Sequence, residues 1–294
     1  MSRPSIWTAL LGLPVAQRYY DVGGVRTRCL EAGEGEPLIF LHGTGGHAEA
    51  YARNLQAHAA RFHVYAIDMI GHGFTDKPQM PYPMSTFIDH VVRFIHTIGG
   101  GPVNLSGESL GAVVAAWIAI EQPQLVRRLV LNTGLPVQRD PEGIAELEEL
   151  LARSRSATGQ PTREAVRKRL EWLMYDPADV TDELVEVRYA IYSAPGAAAV
   201  QRTIAEWVVE GNLGLRGPEE QRRWVNPEAL RQIRCPTLVV WTDHNPSMSA
   251  ATAREGARNI PGARFALLER CAHWPQWERP EAFNALHLEF LTTT

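Results

Sequence analysis

Apolar residues along this chain concentrate in short strand-like runs: Pro37-Leu38-Ile39-Phe40-Leu41, Phe62 to Ile67, Pro102 to Ser106, Arg128 to Asn132, Pro236 to Trp241 and Arg264 to Leu268. Runs of this length without polar alternation are what strands covered on both faces read as. Between them lie helical patterns at Ala48 to Ala60, Ala112 to Glu121, Ala250 to Arg258 and Pro280 to Leu291. A further helix is expected from Thr86 to Ile98, where Phe87, Val91, Phe94, Ile95 and Ile98 recur at helical spacing behind Ser85 as its cap. Tyr19 to Leu30 reads as a hairpin around Gly23-Gly24. Strand and helix in alternation predict an α/β fold, a mostly parallel sheet with right-handed crossovers and helices on both faces.

The texture changes between Leu135 and Arg234. Strand-like runs vanish, and charged helical segments take their place, punctuated at Pro141, Pro161, Pro177, Pro195 and Pro218. Helices are expected at Glu146 to Arg155, Arg163 to Tyr175, Asp182 to Tyr192 and Ala197 to Val209. The division that follows is a core of residues 1–134 and 235–294 with an inserted helical lid at 135–234. Its aromatics, Trp172, Tyr175, Tyr192 and Trp207, are read as anchors of the lid.

Composition changes this picture little. The 294 residues are 45% hydrophobic and 21% charged, ordinary values for a soluble globular protein. A net charge of −4, with no long basic run, argues against a nucleic-acid or anionic-membrane partner and leaves a small molecule. No apolar stretch is long enough to span a bilayer. Cys29, Cys235 and Cys271 are too few and too scattered for a disulfide framework or a metal site, which suits a cytoplasmic protein with no metal. The apolar segment after Arg3 is short and broken by Gly12 and Pro14, so it is expected to be an arm packing on the domain or on a second subunit of a homo-oligomer.

Chemistry concentrates at Gly107-Glu108-Ser109-Leu110-Gly111, a G-x-S-x-G between a strand and a helix. That context makes it a nucleophile elbow, with Ser109 lifted above the sheet on a tight turn. His42-Gly43-Thr44-Gly45-Gly46 ends an earlier strand. Lacking G-K-[ST] and G-x-G-x-x-G, it fits an oxyanion loop better than a phosphate cradle. The amides of Thr44 and Leu110 are the candidate oxyanion donors. His42 is read as structural, and His72 and Glu108 receive no role.

In order and spacing these residues resemble the α/β-hydrolase superfamily over nearly the whole chain: the oxyanion loop, the Asp68-x-x-Gly71-x-Gly73 turn, the elbow, and His273 after the last strand. The resemblance implies Ser109 as nucleophile and His273 as base, with an acid after the penultimate strand. The usual frame puts Asn245 where the aspartate should stand; Asp243, two positions earlier, is the nearest carboxylate and the preferred candidate, with Asn245 as the alternative. No cofactor is implied.

A narrower likeness joins Cys271-Ala272-His273-Trp274-Pro275-Gln276-Trp277-Glu278 to the C-[GA]-H-W-x-Q-W-E run of the meta-cleavage product hydrolases, which cleave carbon–carbon bonds in ring-fission products of aromatic catabolism. Tyr175-Asp176, followed at 188 by an arginine within Thr181 to Tyr189, is similar to that family's lid. By this resemblance Arg188 binds the polar end of the substrate and Trp274 walls the pocket. The chain departs from the family in carrying Glu108 where asparagine precedes the nucleophile, and Ala50 where a pocket asparagine stands. Two other readings stay open: a carboxylesterase or lactonase using the same residues, and a hydrolase-like binding protein without catalysis.

Overall fold

The structure, a computed structural model, describes residues 5–159, 161–212 and 223–293. Eight strands form one sheet: β1 (Ala16–Val22), β2 (Val25–Ala32), β3 (Glu36–Leu41), β4 (Phe62–Ile67), β5 (Val103–Glu108), β6 (Val126–Asn132), β7 (Thr237–Thr242) and β8 (Arg264–Leu268). Their spatial order is β1-β2-β4-β3-β5-β6-β7-β8. The β1–β2 and β2–β4 pairs are antiparallel, and the remaining pairs are parallel.

The two-residue period of a strand divides each apolar run between the faces of the sheet. Leu38, Phe40, Val64, Ala66, Val130, Leu238 and Val240 belong to one core. Ile39, Leu41, Tyr65, Ile67, Leu129, Leu131, Val239 and Trp241 belong to the other. That is why these strands carry no polar alternation. Helices α1 (Ile6–Leu10), α2 (Ala52–Ala59), α3 (Met84–Thr97) and α4 (Leu110–Glu121) accompany the first five strands.

Between β6 and β7 stand α5 (Pro141–Gly159), α6 (Arg163–Glu171), α7 (Asp182–Tyr192) and α8 (Ala197–Ile204), the last continued by π-helical turns over Ala205–Asn212. The chain ends with α9 (Ala250–Ala257), α10 (Pro275–Glu278) and α11 (Pro280–Thr292). Thr162 and Thr181 cap α6 and α7 by accepting from Ala165 and Leu184 N–H.

Several boundaries differ from expectation. Ser85 is not a cap: α3 begins at Met84, two residues before the expected start, behind Pro83, with no side-chain capping bond. The first turn after the oxyanion loop is 3₁₀, and only Ala52–Ala59 is α-helical. Helix α5 starts at Pro141, where Asp140 accepts from Gly143 N–H at 2.8 Å and proline suits the first helical position. Pro218 lies outside the described residues.

The inserted helices are bound to the core by specific hydrogen bonds. Tyr192 Oη donates to Gly45 O at 3.1 Å, Gln201 Nε2 to Gly71 O at 3.0 Å and Trp277 Nε1 to Asp179 O at 2.9 Å. Tyr192 thus serves as the anchor expected of it. The N-terminal arm packs on its own chain, where the Ile6 and Trp7 amides donate to the Glu183 carboxylate. No helix among the described residues is long and apolar enough to cross a membrane, and all three cysteines are free thiols.

Candidate active site

Strand β5 runs directly into Ser109, which has φ 53° and ψ −113°, a conformation that non-glycine residues rarely adopt. The elbow holds because its glycines admit close backbone: a Cβ on Gly107 would collide with the Gly111 carbonyl, and one on Gly111 with the Leu41 carbonyl. The Ser109 amide donates to Asn132 O at 2.9 Å, tying the turn to β6. Ser109 and His273 line one cavity together with Gly43, Thr44, Glu108 and Trp274. The Ser109 hydroxyl makes no hydrogen bond among the described residues. The amides of Thr44 and Leu110 likewise have no acceptor among the described residues.

His42 carries the loop rather than the chemistry. Met69 N–H donates to its Nε2 at 3.0 Å, so its Nδ1 carries the proton and donates to Gly43 O at 2.8 Å. Burial holds this imidazole neutral, with its pKa near 3.

The preferred acid is not beside the histidine. Asp243 faces the start of the histidine loop, accepting from Arg270 and Cys271 N–H at 2.9 and 3.2 Å and pairing with His244 at 2.8 Å. Asn245 takes its place, with Oδ1 2.6 Å from His273 Nδ1. The amide orientation follows from its other end, because Nδ2 donates to Met248 O at 3.2 Å. Oδ1 therefore accepts, Nδ1 of His273 carries the proton, and Nε2 presents its lone pair to the cavity. The physical reason for the correction is local. Asp243 directly follows β7 and satisfies two amides across from β8, whereas two residues further the turn has swung toward the cavity.

Glu108, left without a role by sequence, is 1% exposed. Its Oε2 accepts from Gly43 N–H at 2.7 Å, and Oε1 lies 3.3 Å from His273 Nε2. A Cβ on Gly43 would stand 2.6 Å from Glu108 Oε2, so the glycine makes room for this carboxyl. Burial pushes the Glu108 pKa up to about 8. Burial, followed by the charges of Arg169 and Arg139, pushes His273 down to about 3. At neutral pH burial thus keeps the proton on Glu108 and leaves His273 neutral. Glu278 anchors the histidine loop: it accepts from Ala272 and Trp274 N–H at 3.1 Å and from Tyr175 N–H of the inserted segment at 2.7 Å.

Arg188 and Trp274 lie against each other, with the guanidinium 5.1 Å from the indole centroid. Arg188 is fully buried, and its Nε, Nη1 and Nη2 all lack an acceptor among the described residues. The arginines that line the Ser109–His273 cavity are Arg139 and Arg169, neither of which the sequence pointed to. For Arg169 and Arg188 a signal existed. Each occupies an i, i+3, i+4 stripe with buried apolar neighbours, Val166 and Leu170 in α6, and Leu184, Val185 and Ile191 in α7. No group of three or more His, Cys, Asp or Glu side chains able to hold a metal occurs among the described residues. The space enclosed by the cavity residues is about 30 Å³, room for a water or two.

Comparison with known proteins places this geometry in context. A family model described as "Alpha/beta hydrolase family" matches residues 38–286. The chain is 30% identical over 284 residues to 2-hydroxy-6-oxo-6-(2'-aminophenyl)hexa-2,4-dienoic acid hydrolase of Metapseudomonas resinovorans, covering 94% of this chain and 91% of that one. It is 31% identical over 277 residues to 2-hydroxy-6-oxononadienedioate/2-hydroxy-6-oxononatrienedioate hydrolase of Burkholderia vietnamiensis, at 87% of each chain. Among solved structures, a serine hydrolase involved in carbazole degradation superposes with a TM-score of 0.78 at 28% identity, covering 95% of this chain and 99% of that one.

Proposed function

Because the chain belongs to the alpha/beta hydrolase family, we propose that it hydrolyses a carbon–carbon bond in a ring-fission product of the 2-hydroxy-6-oxo-dienoate type, without a cofactor. The observation that carries this reading is the buried Arg188 beside Trp274, with three guanidinium nitrogens lacking acceptors. A bare buried guanidinium costs several kcal/mol, so the site is built for a substrate that brings a carboxylate. A neutral ester makes no use of it.

The dienol first shifts to its keto form, taking a proton on the carbon next to the distal ketone. Ser109 then adds to that ketone while Nε2 of His273 takes its hydroxyl proton. The amides of Thr44 and Leu110 hold the developing oxyanion. When the carbon–carbon bond breaks, its electron pair passes through the conjugated double bond onto the other ketone, giving the enol of a shorter dienoate once protonated. Water hydrolyses the acyl-serine to the second carboxylic acid, with His273 again as base. Asn245 holds His273 in the required tautomer. Glu108, 3.3 Å from Nε2 and carrying a proton up to about pH 8, is placed to supply and recover protons. Substrate entry requires movement of the segments that supply Leu147, Arg169 and Leu173, since the enclosed space is only about 30 Å³.

The test is a spectrophotometric screen. Purified protein should bleach the visible absorbance of a yellow ring-fission dienol, and Ser109→Ala should slow product formation by roughly a thousandfold or more. Failure with several such dienols, together with rapid hydrolysis of p-nitrophenyl esters, would transfer the site to ester chemistry.

A further inference from the structure

His273 has an amide at Nδ1, where Asn245 stands, and a carboxyl at its other nitrogen. Glu108 Oε1 lies 3.3 Å from Nε2, and Glu108 is the one carboxyl in the described lining of the cavity that holds Ser109 and His273. Its Oε2 is committed to Gly43 N–H at 2.7 Å, which leaves Oε1 to carry the acidic proton. Oε1 is buried and makes no hydrogen bond among the described residues, so nothing in the protein holds that proton back.

The groups that bear on Glu108 come from each element packed around it. They are His273, Arg188 in α7, Arg169 in α6, the Trp274 indole and Tyr51. The arginines keep their charge at neutral pH, and the Tyr51 hydroxyl is spent on Leu41 O at 3.0 Å. His273 is the one base among them. Burial and the charges of Arg169 and Arg139 make it a reluctant one, so the better destination for the Oε1 proton is a basic atom of whatever occupies the cavity.

We infer that Glu108 is a catalytic residue with two successive roles. It protonates the substrate carbon next to the distal ketone and then, ionised, is the counter-ion of the His273 imidazolium, which Asn245 as a neutral amide does not pair. The inference rests on the carbon–carbon hydrolase reading, under which that carbon is bonded to the one Ser109 attacks and so lies beside the Glu108–His273 pair. The dienol enters as its enolate, its hydroxyl proton passing to water. The Oε1–H bond breaks, a C–H bond forms, and the enolate electron pair returns through the shifted double bond as a carbonyl. When Ser109 adds to the distal ketone, Nε2 takes the hydroxyl proton, and the imidazolium then faces a carboxylate 3.3 Å away. Cleavage of the carbon–carbon bond sends the imidazolium proton to the leaving enolate. Water then hydrolyses the acyl-serine and restores the Ser109 hydroxyl. The carboxylic acid so released is the stronger acid of the two, and its proton restores Glu108.

The two roles need opposite states of one carboxyl, so two substrates should show opposite pH limbs. In rapid mixing under single-turnover conditions, loss of dienol absorbance by the wild type should fall about tenfold per pH unit above about pH 8. Hydrolysis of p-nitrophenyl acetate needs no protonation of carbon, and it should rise severalfold through the same pH. Glu108→Gln keeps the volume of the neutral acid and an acceptor for Gly43 N–H but has no proton to release. Once its melting curve shows a folded protein, it should slow dienol loss at about pH 7 by roughly a hundredfold and show neither limb. A variant that keeps the falling dienol limb, or that slows dienol loss by less than about threefold, overturns the first role. An ester limb that rises equally in both proteins overturns the second. If the wild type consumes no dienol, the carbon–carbon reading falls, and the ester limb still decides whether Glu108 pairs the imidazolium.

Discussion

His273 Nδ1 lies 2.6 Å from the side-chain oxygen of Asn245, so a neutral amide orients the imidazole where hydrolases of this fold carry a carboxylate. An amide fixes the tautomer but stabilises the imidazolium formed during catalysis less than a charged group does. Asn245→Asp is therefore expected to raise kcat, by roughly tenfold, and to move the acid limb of the pH–rate profile upward as His273 becomes more basic. Asp243→Asn should change kcat by no more than about twofold, since that carboxylate serves the Arg270 and Cys271 amides. A large loss in Asp243→Asn beside an unaffected Asn245→Ala would refute the assignment.

Glu108 gives the folded protein a measurable dependence on pH. Below the ordinary glutamate range the carboxyl is protonated in both folded and unfolded chains. As pH rises toward about 8 the unfolded chain ionises this group while the folded protein keeps it neutral, so stability falls across that window. The loss is on the order of a few kcal/mol. Glu108→Gln is expected to hold its urea midpoint between about pH 5 and 9 better than wild type does. Parallel wild-type and variant curves would mean that the carboxyl ionises freely in place.

Arg188 sets function against stability. Arg188→Met replaces a buried guanidinium lacking acceptors with an apolar chain of similar length, so the folded state should gain about 1–3 kcal/mol. Activity on the dienol should fall by two orders of magnitude or more in kcat/KM, chiefly through weaker binding of the carboxylate. Thermal melts and steady-state kinetics on the same preparation test both halves. A destabilised variant with unchanged kinetics would make Arg188 a structural residue.

The family-level reading was legible because its signals are local or periodic. Apolar runs at β3, β4 and β7 announce strands whose alternate residues enter two cores. The G-x-S-x-G turn needs only its own glycines and flanks to place Ser109, and His273 lies in a run of characteristic neighbours. The buried stripes of α6 and α7 would even have exposed Arg169 and Arg188 as charges on apolar faces. Arg139, in the segment before α5, offers no such periodicity.

Tertiary structure decided the rest, because those questions concern direction and desolvation rather than order. Asp243 and Asn245 are two residues apart in one turn, and only the path of the chain past β8 determines which side chain reaches His273. The carboxyl of Glu108 keeps its proton at neutral pH only because Gly43 leaves it a buried place beside the histidine. Arg169 and Arg188 become desolvated charges only once α6 and α7 pack and withdraw them from water. A charge in sequence carries no record of its solvent, and solvent is what separates a surface arginine from one that waits for a substrate.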